Sequence, residues 1–283
     1  MKDFFILTKE EAENTMNGFI SEISGFIEDN GGAVKTSVLN RQRTSEPLPV
    51  PENTECILTV GGDGTMIRAA MRTINSRLPI LGINKGHLGY LCDLDESNYR
   101  EALSRLFADD YEIEDRMLLS GRVLSADGVP ESGFNHALND IVLTSRNGLQ
   151  VVHIDIYVNG EKLSSFNGDG VIFATPTGST AYNLSAGGPI VDPKTKLILM
   201  SPLNAHVVGQ RSIVMDPASK VRATVTRRNQ EELSAAVAFD GSTSIPLYDG
   251  ESIEVVRSDE TVRFIKLSQI NFLDRIREKL QAD

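Results

Sequence analysis

A chain of 283 residues with 40% hydrophobic and 24% charged side chains carries enough apolar material for a sizeable core, and its length favours two domains. Its net charge of -11 argues against nucleic acid or an anionic membrane surface as the partner, though not against a small anion held by local backbone donors. Cys56 and Cys92 are the only cysteines and no CxxC spacing occurs, which argues against a disulfide scaffold; with no signal-peptide pattern and no apolar stretch of membrane-spanning length, the expected location is the cytoplasm.

The first hundred residues alternate strand and helix. Phe4 to Leu7 reads as a short strand, and Met16, Phe19, Ile20, Ile23, Phe26 and Ile27 give helical spacing between Lys9 and Asp29, stopped by Asn30-Gly31-Gly32. A second strand is expected over Val34 to Leu39. The polar, proline-bearing stretch Arg41 to Asn53 reads as an exposed loop, either a lid or a plain connector. Cys56-Ile-Leu-Thr-Val60 is a buried-strand signal that runs straight into Gly61-Gly-Asp-Gly-Thr65, with a helix expected over Met66 to Ile74. This order puts Asp63 at the carboxyl end of a strand, where open α/β sheets bind ligands, and puts glycines where a phosphate approaches closely. It is neither the Walker pattern nor GxGxxG. By itself it also fits a plain Asp-Gly turn; the apolar strand before it favours the functional reading. Leu78 to Ile83 is the next strand, followed by the loop Asn84-Lys-Gly-His-Leu-Gly-Tyr90. Tyr90 either stacks on a base or packs, and His87 either binds or caps; for each taken alone the structural role is favoured. Ser97 to Phe107 is an amphipathic helix with Ser97 as the expected N-cap. The alternation predicts a mainly parallel α/β sheet.

From Tyr111 to Val256 the pattern changes to strands: Met117–Leu124, Ile141–Thr144, Val151–Val158, Val171–Ala174, Lys196–Met200, Ile213–Met215, Val221–Thr226, Ala235–Phe239 and Ser252–Val256. Alternation such as His153-Ile-Asp-Ile-Tyr-Val is that of a half-buried antiparallel sheet, and Asn159-Gly160, Asp240-Gly241 and Asp249-Gly250 supply turns. A second, all-β domain of sandwich type is expected. A helix over Asn271 to Lys279 ends the chain. The expected domains are 1–112, with 260–283 packing back on it, and 113–259.

The densest signal is Asn167-Gly-Asp-Gly-Val-Ile-Phe-Ala-Thr-Pro-Thr-Gly-Ser-Thr-Ala-Tyr-Asn-Leu-Ser-Ala-Gly-Gly-Pro-Ile190. Its glycines, its hydroxyls and one Asp surround a short buried strand, Val171 to Ala174. Such a backbone is shaped to approach something polar. Ser179 to Ala186 is expected to open a helix whose first N–H groups face an anion.

Gly61-Gly-Asp-Gly-Thr65, then Asn139-Asp140, then Gly168-Asp-Gly170 with Ala174-Thr-Pro-Thr-Gly-Ser-Thr-Ala-Tyr182 and Gly187-Gly-Pro189 resemble the NAD kinases, in order and over essentially the whole chain. The first motif is shared with lipid kinases of the diacylglycerol type; the long second run is highly specific. The resemblance implies a Rossmann-like α/β N-terminal domain and a β-sandwich-like C-terminal domain. It implies transfer of the ATP γ-phosphoryl to the 2′-hydroxyl of the adenosine ribose of NAD, with Mg²⁺ or another divalent cation accompanying ATP, and a homodimer or homotetramer. Asp63 takes the family's base position. Gly61, Gly62, Gly64 and Thr65 would meet the ATP phosphates. NAD would be held by Asp63, Gly64, Arg68, Tyr90, Asn139, Asp140, Asp169, Thr177, Thr180, Ala181, Tyr182, Asn183, Leu184 and Ser185.

Three positions depart from the family's usual pattern. Asp140 replaces Glu, which keeps the charge and shortens the reach. Asn167 stands where many relatives have Arg, and Ser242 where Gln is common. None removes a group that phosphoryl transfer needs; affinity and the choice between NAD and NADH are what they bear on. Two other readings stand beside the kinase. A lipid kinase would share the first motif, lack the second and show a membrane-facing basic or apolar surface. A non-catalytic NAD(P) sensor would bind the dinucleotide and form no product.

Overall fold

The structure, a computed structural model, describes the chain apart from residues 10–12, 41–45, 86–88, 93, 147–150, 207–208, 227–234, 268–271 and 281–283. The start of the first expected helix, the first five residues of the expected lid or connector, and His87 lie outside the described residues. Contacts group the chain into two units, Met1–Asp115 with Val262–Asp283, and Arg116–Thr261.

In the first unit, β1 (Asp3–Lys9), α1 (Glu13–Asp29), β2 (Ala33–Leu39), β3 (Cys56–Val60), α2 (Asp63–Thr73), β4 (Ile80–Asn84), β5 (Leu94–Asp95) and α3 (Tyr99–Phe107) follow in order. The strands pair in parallel in the order β2-β1-β3-β4, with β5 on β4. A parallel sheet covered by helices buries both faces, which is why β3 is apolar nearly throughout and buried at every residue. α1 turns Phe19, Ile23 and Ile27, one helical turn apart, onto Phe4, Ile6, Leu58 and Leu81. It ends where Gly31 takes φ 79° and the Gly32 N–H bonds back to the Ile27 carbonyl at 2.9 Å, a conformation that a Cβ would strain.

Two helix starts differ from the sequence expectation. α2 begins at Asp63, not Met66, so the glycine motif forms its first turn, with Gly62 at the cap and no side-chain cap bond. α3 begins at Tyr99 with Asn98 at the cap. Ser97 is drawn away because its N–H and hydroxyl both donate to the Asp95 carboxylate, at 2.8 and 2.5 Å.

The second unit begins within β6 (Glu112–Leu124), at Arg116, and continues through β7 (Asn135–Ala137), β8 (Asp140–Ser145), β9 (Val152–Val158), β10 (Glu161–Gly168), β11 (Gly170–Ala174), α4 (Tyr182–Ser185), β12 (Ile198–Leu203), β13 (Ile213–Met215), β14 (Val221–Thr226), β15 (Ala235–Phe239), β16 (Thr243–Leu247) and most of β17 (Ser252–Lys266). One antiparallel sheet has the order β13-β12-β11-β8-β15-β16. The other runs β10-β9-β14-β17, also antiparallel, with β6 on β17 and β7 on β6. Ile141, Leu143, Val171 and Phe173 of the first sheet share one core with Ile154, Ile156, Phe166, Ala223 and Ile253 of the second. The alternate residues Val142, Ile172, Ala174 and Leu199 face the other way and lie under Ala186, Val191 and Leu197. Both faces of β11 are therefore buried, which accounts for its unbroken apolar run. The result is the expected α/β half followed by an antiparallel, sandwich-like half.

The helix expected over Ser179–Ala186 is instead a 3₁₀ turn, Thr177–Thr180, followed by the four residues of α4. Side chains here bind the returning chain rather than allowing a helix to propagate. Ser179 Oγ accepts from the Val191 N–H at 3.0 Å, and Asn183 Nδ2 donates to the Ser179 and Pro189 carbonyls at 3.3 and 3.2 Å. Beyond Val262, β17 continues into the first unit, where Phe264 bridges Ile80 in parallel and α5 (Phe272–Leu280) ends the described chain. No helix among the described residues is long and apolar enough to cross a membrane.

Candidate active site

In the first unit the site is built at the carboxyl end of β3. Gly61 takes φ 147°, and a Cβ there would lie 2.4 Å from the Thr65 hydroxyl, so the chain leaves the strand only through glycine. α2 then starts at once, and Asp63 occupies its first turn, where the free N–H groups favour a negative side chain. The Asp63 carboxylate is held from the other side by main chain: the N–H groups of Tyr90, Leu91 and Cys92 donate to it at 2.7, 3.1 and 3.3 Å. Gly89 makes that approach feasible, since a Cβ on it would stand 2.1 Å from Asp63 Oδ1. Gly64 is exposed, Asp63 and Arg68 are half-buried, and Thr65 is 1% exposed. Lys9, at the end of β1, brings its Nζ to 3.5 Å from the point that a Cβ on Gly64 would occupy. Burial and then the Asp63 charge push the Tyr90 phenol above its ordinary pKa.

In the second unit, Leu138-Asn139-Asp140 is clamped along both edges of its backbone. Asp240, at the end of β15, accepts from the N–H groups of Leu138, Asn139 and Asp140 at 2.8, 2.7 and 3.1 Å. Thr175 covers the opposite edge: its hydroxyl donates to the Leu138 carbonyl at 2.5 Å and its N–H to the Asn139 carbonyl at 2.9 Å. The 3₁₀ turn lies directly against this segment, and a Cβ on Gly178 would fall 2.0 Å from the Asn139 carbonyl oxygen. The buried Arg116 donates to Thr177 Oγ1 at 3.2 Å, pinning the turn from its other side.

Gly168 and Gly170 flank Asp169 for a reason internal to the sheet. A Cβ on either would strike a neighbouring strand, 2.7 Å from the Leu203 carbonyl or 2.1 Å from the Leu143 carbonyl. Asp169 itself is half-buried and accepts from Asn204 Nδ2 at 2.6 Å. Among the other expected NAD contacts, Thr180, Ala181 and Leu184 are half-buried, while Tyr182 and Ser185 are exposed. Asn183 differs. It is fully buried, and its side chain is committed to Ser179, Pro189 and the Ser201 hydroxyl, so it shapes the turn from within.

The sequence reading did not single out Lys9, Gly89, Asp240 or Asn204, nor the contact of His153 with Asn167, whose Nδ1 and Oδ1 lie 2.8 Å apart. Asp240-Gly241 was legible as a turn, but nothing in its local pattern marks a carboxylate that organises residues a hundred positions away.

Asp140 and Asp240 form a carboxylate pair with a pH signature. Burial raises Asp140 from 3.8 to about 7, and the Asp240 charge adds to the rise. Burial likewise raises Asp240, to about 6, against the three amide bonds that favour its anion. Between about 4 and about 7 the folded chain holds a proton at Asp140 that the unfolded chain has released, so stability falls as pH rises through that window. Asp140→Asn is expected to flatten this fall, read as melting temperature against pH. An unchanged slope would show that Asp140 does not carry it.

Comparison with known proteins matches both halves of the chain. The ATP-NAD kinase N-terminal domain matches residues 13–111, and the ATP-NAD kinase C-terminal domain matches residues 138–267. The NAD kinase of Agathobacter rectalis is 38% identical over 99% of this chain and 99% of its own. That of Lachnospira eligens is 42% identical over 82% of each. The crystal structure of yeast NADH kinase complexed with NADH superposes with a TM-score of 0.84 at 25% identity, covering 99% of this chain and 88% of that one. The crystal structure of an NAD kinase from Archaeoglobus fulgidus in complex with ATP gives 0.78 at 25% identity over 99% of each chain. With both domains matched in order and a relative aligned along nearly its whole length, the chain belongs to the ATP-NAD kinase family.

Proposed function

We propose that this NAD kinase works through Asp63 as general base. The observation that carries this is a half-exposed carboxylate held by three main-chain N–H donors at the start of α2, beside the exposed Gly64. A ribose hydroxyl is far too weak an acid to ionise at neutral pH, so its proton must leave as the new bond forms. Asp63 Oδ2 accepts one amide bond and keeps a lone pair for that proton. The 2′ oxygen bonds to the γ phosphorus, the bond from that phosphorus to the β–γ bridging oxygen breaks, and ADP leaves.

The backbone of Gly61, Gly62 and Gly64 would meet the triphosphate, with the Lys9 ammonium beside it. Thr65, buried under Gly61, shapes this turn rather than touching the ligand. Arg68 and Tyr90 are assigned to dinucleotide contacts. In the second unit Asn139, Asp140, Asp169, Thr177, Thr180, Ala181, Tyr182, Leu184 and Ser185 would hold NAD, with the exposed Tyr182 ring available for stacking. The fixed Leu138–Asp140 backbone favours this, because a pre-ordered site loses less freedom on binding.

A divalent cation belongs to the substrate, entering as the metal complex of ATP, where it neutralises phosphate charge. Among the described residues no group of three or more His, Cys, Asp or Glu is placed to hold a metal. The ATP complex of the Archaeoglobus fulgidus relative supports ATP as donor, and the NADH complex of the yeast relative makes NADH an acceptor to compare. A cytoplasmic location is part of the same reading, supported by two buried free thiols, and so is a homo-oligomer, testable by sedimentation.

The deciding assay is NADP formation from NAD, ATP and Mg²⁺, followed with an NADP-specific dehydrogenase, with NADH run in parallel. Product is expected. A folded protein that binds NAD and makes no NADP with ATP, another nucleoside triphosphate or polyphosphate would leave the sensor reading in its place.

A further inference from the structure

Arg275 lies on α5 and is 5% exposed. Its Nη1 donates to the carbonyls of Gly89, Tyr90 and Cys92, at 3.2, 3.0 and 3.0 Å. The same short stretch turns the N–H groups of Tyr90, Leu91 and Cys92 onto the Asp63 carboxylate. Two peptide groups are therefore shared. The one joining Gly89 to Tyr90 accepts from Arg275 through its carbonyl and donates to Asp63 through its N–H. The one joining Tyr90 to Leu91 does the same. A guanidinium and a carboxylate face each other through two peptide dipoles aligned head to tail, each strengthening the other's hydrogen bonds. Arginine suits this place because it stays protonated when buried and presents several donors in a fixed plane.

We propose that Arg275 is a positioning residue for the catalytic base. It fixes the Gly89–Cys92 backbone, and that backbone fixes the direction in which the Asp63 carboxylate points. The proposal rests on Asp63 being the base. One residue, 183 to 186 positions beyond that backbone, thus sets the geometry of the reacting oxygen.

The test is a double-mutant cycle on the full chain: wild type, Asp63→Asn, Arg275→Met and the double variant, each assayed for kcat and for KM toward NAD and ATP. Arg275→Met is expected to lower kcat on the order of 10- to 100-fold through a small misplacement of the base. KM for ATP is expected to stay within about twofold, and KM for NAD, which also reflects Tyr90 on the same backbone, is expected to rise far less than kcat falls. In the Asp63→Asn background the same substitution is expected to cost nothing further. Equal losses in both backgrounds, or a raised KM with kcat intact, would overturn the proposal. Wild-type turnover in Asp63→Asn alone would instead remove the base assignment, a separate outcome. If Arg275→Met does not fold, Arg275→Lys takes its place in the cycle. Its single ammonium keeps the charge with fewer directed donors, and a several-fold kcat loss confined to the Asp63 background is expected; no loss there overturns the idea.

Discussion

Asp63→Asn is expected to lower kcat by roughly 10²- to 10⁴-fold while NAD still binds, which separates loss of a proton acceptor from loss of the site. The amide keeps the volume of the carboxylate and loses its charge and basicity. It also fits its surroundings imperfectly. Its carbonyl oxygen can still accept from two of the three N–H groups of Tyr90, Leu91 and Cys92, but its own NH₂ then meets the third. One main-chain donor is left unsatisfied, and the favourable interaction of a negative group with the start of α2 is lost, so a stability cost of about 1–3 kcal/mol is expected beside the kinetic effect. Calorimetric NAD titration and thermal unfolding would be measured with turnover. Loss of NAD binding in step with kcat would mean that Asp63 grips the dinucleotide rather than acting on its hydroxyl.

Asp240→Ala is expected to be the most damaging change in the second unit. The carboxylate satisfies three consecutive N–H groups on Leu138, Asn139 and Asp140, and alanine leaves all three without it. Each unsatisfied donor away from water costs about 1–3 kcal/mol, so a loss of several kcal/mol is expected, visible as a large drop in melting temperature. The segment that presents Asn139 and Asp140 would be freed together with the turn at Gly178 that rests on it, and KM for NAD should rise more than kcat falls. Asp240→Asn is expected to lie between, since one oxygen still accepts. A variant that unfolds like wild type would show that water replaces the carboxylate.

Arg275 and Asp240 share a design. Each organises a functional stretch through main-chain hydrogen bonds, from a position far along the chain. Neither touches the stretch's side chains in these bonds, so neither imposes a residue pattern there that a reader of sequence would notice.

The parts of this protein that its sequence determined on its own are those set by local rules. β3 and β11 are legible because a strand covered on both faces must be apolar throughout. α1 is legible because Phe19, Ile23 and Ile27 recur at the helical period. Gly61, and Gly168 and Gly170 on either side of Asp169, stand out because the crowding around them admits no side chain. Tertiary structure decided the rest. β10 is half exposed and largely polar, and β16 carries Pro246; each lies at an edge of its sheet and is a strand because of the neighbour it pairs with, not its own pattern. The segment after Thr177 departs from a helix because Ser179 and Asn183 bind the chain as it returns at Pro189 and Val191. Asp63 is held by amides 27 to 29 residues on, and Leu138–Asp140 by a carboxylate 100 to 102 residues on. Amide donors carry no residue identity, so bonds of this kind leave no trace in the sequence until the fold has brought their partners together.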